Sequence, residues 1–223
     1  MLERKNGRPD RRLPVAVIWL VVGILAAATL LVAYYSHRPT SVSAIVQTKS
    51  TPSFNSPPVK LDYKANSVKS GKLVPMVRGN RLTAVMLMAS WCLYCAYEDK
   101  WVWPTILQTT PGLQLNIVDV SDESGIGVPG PQQPAFTGHD SVGPVVKVAG
   151  MESTMRQYIQ RFNFHYANAH VFVAPNGGEY WKLSAFPTLL FFNRQGRLVQ
   201  RINGALTEAQ LRSVVHQLLQ HGA

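Results

Sequence analysis

The sequence predicts an α/β fold, and three observations predict it. An apolar run, "LTAVMLMAS" (82–90), leads straight into a segment with helical spacing. A second apolar run, "LQLNIVDV" (113–120), follows that segment. Near the end, two strand-like runs precede one amphipathic helix. A strand–helix–strand crossover implies parallel pairing.

Residues 82–90 form a short, bounded apolar run, as expected of a strand buried on both faces. The helix is expected from Cys92 to Leu107, with Leu93, Tyr97 and Trp101 on one face at four-residue spacing and Pro104 kinking or ending it. Upstream, 65–78 reads weakly as a helix, against Gly71 and Pro75. Residues 121–150 hold six Gly and four Pro with little periodicity, so they form an insertion without regular structure. Residues 151–162 read as a helix, and 169–183 as a hairpin turning at Asn176-Gly177-Gly178. "TLLFFN" and "RLVQRI" are two strands joined through "NRQG". The last helix starts at Thr207 as N-cap, with Gln210 completing a capping box. Leu211, Val214, Val215, Leu218 and Leu219 form its apolar stripe, and Gly222 stops it.

The 223 residues carry a net charge of +10 and are 46% hydrophobic, enough for a real core. The cations do not gather into a nucleic-acid-binding run, and no nucleic-acid partner is expected. Their densest cluster, Arg4 to Arg12, precedes a 23-residue stretch without charge, Leu13 to Tyr35. At about 1.5 Å per residue that stretch can span a bilayer core. The positive-inside rule then puts residues 1–12 in the cytoplasm and the rest outside. The competing reading is a cleaved signal peptide, whose apolar region is shorter and ends at a small-x-small site. The expected organisation is a basic N-terminus (1–12), a transmembrane anchor (13–35), a Ser/Thr/Pro-rich tether (36–60) and an extracytoplasmic domain (61–223).

Only two cysteines occur, Cys92 and Cys95, where the buried strand hands over to the helix. First-turn N–H groups and the helix dipole stabilise negative charge there, and Cys-x-x-Cys pairs at helix starts have lowered thiol pKa values. Cys92 is expected to be the exposed nucleophile, and Cys95, one turn on, the buried resolving thiol. Other readings stay open from the residues alone. His165 and His170 have a zinc-like spacing, although 69 residues separate the histidines from the cysteines. A structural disulfide and two incidental core thiols are the remaining alternatives.

"AVMLMASWCLYC" together with "SAFPTLLFFNRQGRLVQRINGALTEAQL" resembles the thioredoxin-like family over about 82–122 and 184–220. The resemblance implies a mixed sheet flanked by helices, with 121–150 as an insertion. It implies that Trp91, Phe186 and Pro187 bind substrate, with Pro187 in a cis peptide facing the cysteines. Two departures stand out. Met86 occupies the position of the family's buried Asp, and Leu93-Tyr94 replaces the dipeptides of both thioredoxin and the strong oxidants. Glu98, three residues after Cys95, is placed as in membrane-anchored thiol–disulfide oxidoreductases of the TlpA and ResA type. It is therefore a third candidate catalytic residue, against the plainer reading of a solvated surface carboxylate.

The expected activity is thiol–disulfide exchange on protein substrates. Reduction is favoured, for example in cytochrome c maturation, and oxidation or isomerisation is the alternative. No cofactor and no metal is required, but a reductase outside the membrane needs an integral membrane electron partner. A non-catalytic binding module and a copper chaperone are the competing classes.

Overall fold

The computed structural model describes residues 61–220. The anchor and tether expected at 13–60 lie outside the described residues. Within those described, no helix is long and apolar enough to cross a membrane.

Seven strands form one sheet. In chain order they are β1 (Lys64–Ser67), β2 (Leu73–Pro75), β3 (Leu82–Met88), β4 (Leu113–Asp119), β5 (Ala169–Val173), β6 (Thr188–Asn193) and β7 (Leu198–Asn203). Their spatial order is β2-β1-β5-β4-β3-β6-β7. The pairs β3–β4 and β4–β5 are parallel, and the remaining pairs are antiparallel. All seven residues of β3 are buried, as its unbroken apolar run requires.

The helical segment after β3 has three parts. Helix α1 (Leu93–Tyr97) passes into a π-helical turn, Glu98–Val102, and then into α2 (Trp103–Thr109). Pro104 sits in the first turn of α2, where its missing N–H costs nothing. The helical segment does not end there but runs on to Thr109, and the irregularity expected at this proline takes the form of the π turn directly before α2. The last two long helices are α3 (Val148–Phe162), which ends on the left-handed residue Asn163, and α5 (Glu208–Gln220). Between them lies one helical turn, α4 (Gly177–Tyr180). In the capping box of α5, Gln210 Oε1 accepts the Thr207 N–H at 2.9 Å as expected. The Thr207 hydroxyl also turns to the same oxygen.

Two expectations fail. Residues 65–78 are the hairpin β1–β2, turning where Gly71 has φ +64 and where Gly71 N–H reaches the Ser67 carbonyl at 2.7 Å. Pairing of β1 with β5 overrides the weak helical pattern. Residues 169–183 are not a hairpin. Strand β5 lies between β4 and β1, and Asn176-Gly177-Gly178 leads into α4. Gly177 packs so closely on Val120 that a Cβ there would meet its side chain at 2.7 Å, and Trp181 is buried beyond it.

One buried polar residue ties the centre of the sheet to its approach loop. Asn116 on β4 accepts the Val77 N–H at 2.9 Å and donates to the Val77 carbonyl at 2.8 Å. We predict that Asn116→Leu, which strands both backbone groups, destabilises the protein by about 3 kcal/mol. Chemical denaturation of the purified protein measures this, and a loss under about 0.5 kcal/mol would show the bracket to be dispensable.

Candidate active site

The register of β3 and β6 brings the two sequence motifs to one end of the sheet. Leu87 pairs with Thr188, so Pro187 lies beside the end of β3 from which the chain runs on to Cys92. The Phe186–Pro187 bond is cis. Trp91 packs edge-to-face on Phe186, with centroids 5.8 Å apart. Trp91, Phe186 and Pro187 thus form one neighbourhood around the cysteines.

Cys92 is the N-cap of α1, in extended conformation, and its carbonyl accepts the Ala96 N–H. Both cysteines are free thiols. The side-chain hydrogen bond from Cys95 lowers the Cys92 thiol below the ordinary range. Burial opposes it, the N–H groups of Cys95 and Tyr94 add to it, and the Asp140 charge works against it. Burial pushes the Cys95 thiol well up. The two thiols are thus shifted in opposite directions. The expected exposure is absent, because Cys92 is only 3% exposed.

The insertion accounts for that burial. Gly127 N–H bonds to the Ser90 carbonyl at 3.0 Å, and Ser141 N–H to the Trp91 carbonyl at 2.9 Å. Asp140 accepts the Leu93 N–H at 2.8 Å, capping α1 from 47 residues away. A Cβ on Gly127 would stand 2.5 Å from the Cys92 carbonyl oxygen, so glycine is needed for this approach. Phe136 stacks on Tyr97 and Tyr94, while the Tyr97 hydroxyl and the Trp101 indole bond to the carbonyls of Gln132 and Gly130. Residues 121–147 are a strap bound to the cysteine loop.

Acids stand behind the thiols. Glu98 is fully buried, which overturns its reading as a solvated carboxylate. Its Oε1 accepts the Leu206 N–H at 2.6 Å, and burial raises its pKa well above the usual value. Met86, at the position of the family's buried Asp, is a core residue. Sequence reasoning missed Asp99, also fully buried, which accepts the Tyr158 hydroxyl at 2.6 Å. It also missed Asp119, which takes the Ser121 N–H. Burial raises each of these two to about 7. The signal for Asp99 was present in "CAYED": two adjacent acids within a turn of Cys95. Nothing local pointed to Asp140.

Comparison with known proteins gives no matching family model and no matching curated protein. Solved structures do match. An uncharacterized conserved protein from Geobacillus kaustophilus superposes with TM-score 0.52 at 12% identity, over 74% of this chain and 82% of that one. A protein assigned as the thiol:disulfide interchange protein DsbE of Chlorobium tepidum gives 0.50 at 15%, over 73% and 98%. The fold is thioredoxin-like. A thioredoxin-like protein from Aeropyrum pernix is also similar, with TM-score 0.49 at 14% identity over 70% of this chain and 89% of that one. The mixed sheet expected from the sequence is present, and the Cys-x-x-Cys pair lies just past the end of β3.

The Cys95 S–H is the largest cause of Cys92 acidity. We predict that Cys95→Ala raises the Cys92 pKa toward that of a free cysteine. Iodoacetamide alkylation rates against pH measure it, and an unchanged or lower value would remove Cys95 from that role.

Proposed function

We propose that this protein is a thiol–disulfide oxidoreductase that reduces protein disulfides outside the cytoplasm, tethered by residues 13–35. The observation that carries the activity is the pair itself: an acidified Cys92 thiol backed by a buried Cys95, beside Trp91, Phe186 and Pro187. The Cys92 thiolate attacks a substrate sulfur and releases one substrate thiolate. Deprotonated Cys95 then attacks the Cys92 sulfur and releases the second. The pair loses two electrons and two protons, and the substrate disulfide becomes two thiols. Proton handling falls to the buried acids beside the pair.

The reducing direction rests on charge. Leu93 and Tyr94 offer the thiolate no cation, and the charged side chain hydrogen-bonded to the first helical N–H is the anion Asp140. A thiolate without strong stabilisation leaves the disulfide hard to reduce and the dithiol a good donor. Electrons would return from an integral membrane partner, and the structure-matched protein named for thiol:disulfide interchange supports the reaction class. Cytochrome c maturation is one setting that needs such a reductase.

The purified full-length protein is expected to reduce insulin disulfides with dithiothreitol as donor, and Cys92→Ser to abolish this. Its potential, from equilibration with glutathione, is expected on the thioredoxin side of roughly −200 mV. A value near −120 mV, that of a strong oxidant, would make the protein an oxidase, and no turnover at all would favour a binding module. Topology has a separate test. On intact cells treated with a reductant, a membrane-impermeant thiol reagent should label Cys92; labelling only after lysis would refute the outward orientation.

A further inference from the structure

The acid pair at 98–99 has no counterion. Both side chains are fully buried, and neither forms an ion pair among the described residues. Asp99 Oδ1 has no hydrogen-bond partner there, and beyond Leu206 Glu98 has only the buried Trp103 indole beside it, its Oε2 making no hydrogen bond of good geometry. Burying a carboxylate without full pairing is costly, so such groups mark functional sites more often than packing solutions. The backbone shows how two adjacent side chains both come inside. In the π turn the Trp103 N–H bonds to the Glu98 carbonyl five residues back. More residues per turn mean a smaller angle between neighbouring side chains, and single π turns recur at functional sites.

The two acids are held differently. Glu98 Oε1 is fixed by the Leu206 N–H in the loop between β7 and α5. Asp99 Oδ2 is fixed by the Tyr158 hydroxyl from α3. Cys95 and Asp99 are four residues apart along α1 and the π turn, the spacing that puts side chains on one helix face. We propose that Asp99, oriented by Tyr158, is the base that takes the Cys95 proton when the mixed disulfide resolves, while Glu98 anchors the Leu206 loop. This rests on the exchange reaction proposed above and assigns one of its steps.

The chemistry of that step requires a base. Burial holds the Cys95 proton tightly, and Cys95 attacks Cys92 only as a thiolate. The strand before the cysteines offers no acid: all of β3, Leu82–Met88, is without a carboxylate. The charged or titratable groups around Asp99 are Cys92, Cys95 and Glu98 on its own segment and Tyr158 on α3. Burial separates the acids: Asp99 titrates at about 7, whereas Glu98 is raised well above its usual value. The two neighbouring acids are thus held at different points, the arrangement that lets one of a pair act as base. The proton passes from Cys95 to Asp99 and then to the substrate thiolate released in the second exchange. The sulfur–sulfur bond to substrate breaks as the Cys92–Cys95 bond forms.

A chromogenic aromatic disulfide, dithiobis(nitrobenzoate), separates the two exchanges in one stopped-flow trace of the reduced full-length protein. The first thionitrobenzoate reports attack by Cys92, and the second reports resolution by Cys95. At pH 7, Asp99→Asn should slow the second release by roughly 100-fold, within the range for loss of a general base. The first release should change less than about threefold, since Asp99 lies outside the first exchange. Tyr158→Phe removes the donor that holds the Asp99 pKa down, so the pH profile of the second phase should shift upward without losing its amplitude. Glu98→Gln, which can still accept the Leu206 N–H, should leave the inflection near 7 in place. A second phase of unchanged rate and pH profile in Asp99→Asn overturns the proposal, as does an inflection that disappears in Glu98→Gln instead. If Asp99→Asn fails to fold, the Tyr158→Phe profile decides alone, and an unmoved inflection overturns the proposal. If the wild-type protein releases neither chromophore, it is the oxidoreductase reading that fails.

Discussion

Every residue of β3 is buried, and both of its edges are paired, to β4 in parallel and to β6 in antiparallel register. A slip of one residue would turn its whole side-chain set over, so the strand has a single position. That constraint fixes where the chain leaves the sheet, and therefore where Cys92 begins α1. It also fixes Pro187, because β6 is registered against the same strand. The cysteine loop and the Phe186–Pro187 segment are 90 residues apart in sequence, yet one rigid ladder sets the distance between them.

Around that frame the site is tuned mainly by burial, opposed locally by hydrogen bonds. The Cys95 S–H favours the Cys92 thiolate more than burial disfavours it, whereas Cys95 itself has no comparable donor. The two thiols are thereby shifted in opposite directions, with no cation among the causes. The same low-polarity interior acts on the carboxylates, and their hydrogen-bond partners, Leu206 for Glu98 and Tyr158 for Asp99, come from different elements of the fold.

Much of this was legible in the chain. The strands at 82–90, 113–120 and 188–203, and the helices near 151–162 and 207–220, follow from runs and spacings that packing reinforces. The Cys pair, Trp91 and Pro187 could be placed because each lies next to such an element. What escaped had non-local causes. The helical pattern of 65–78 was weak, and β5 drew part of that segment into the sheet. Asn176-Gly177-Gly178 has the composition of a hairpin turn, but Gly177 is small in order to approach Val120. Cys92 looked exposed because nothing in 88–100 indicates that residues 121–147 fold back over it. The burial of Asp99 depends on a π turn, for which sequence has no simple signature.

Gly127 binds the histories of two segments together. It lies against the Cys92 carbonyl with no room for a methyl group, and Asp140 supplies the cap that α1 lacks from its own residues. The strap is thus not a module that can be exchanged while the cysteine loop stays as it is. Chimeras that graft 121–147 from a relative must bring a glycine and a capping residue in register with the host's Cys92 and Leu93. Substitutions in the strap and in the loop should accordingly be inherited as a set, although the two lie some thirty to fifty residues apart.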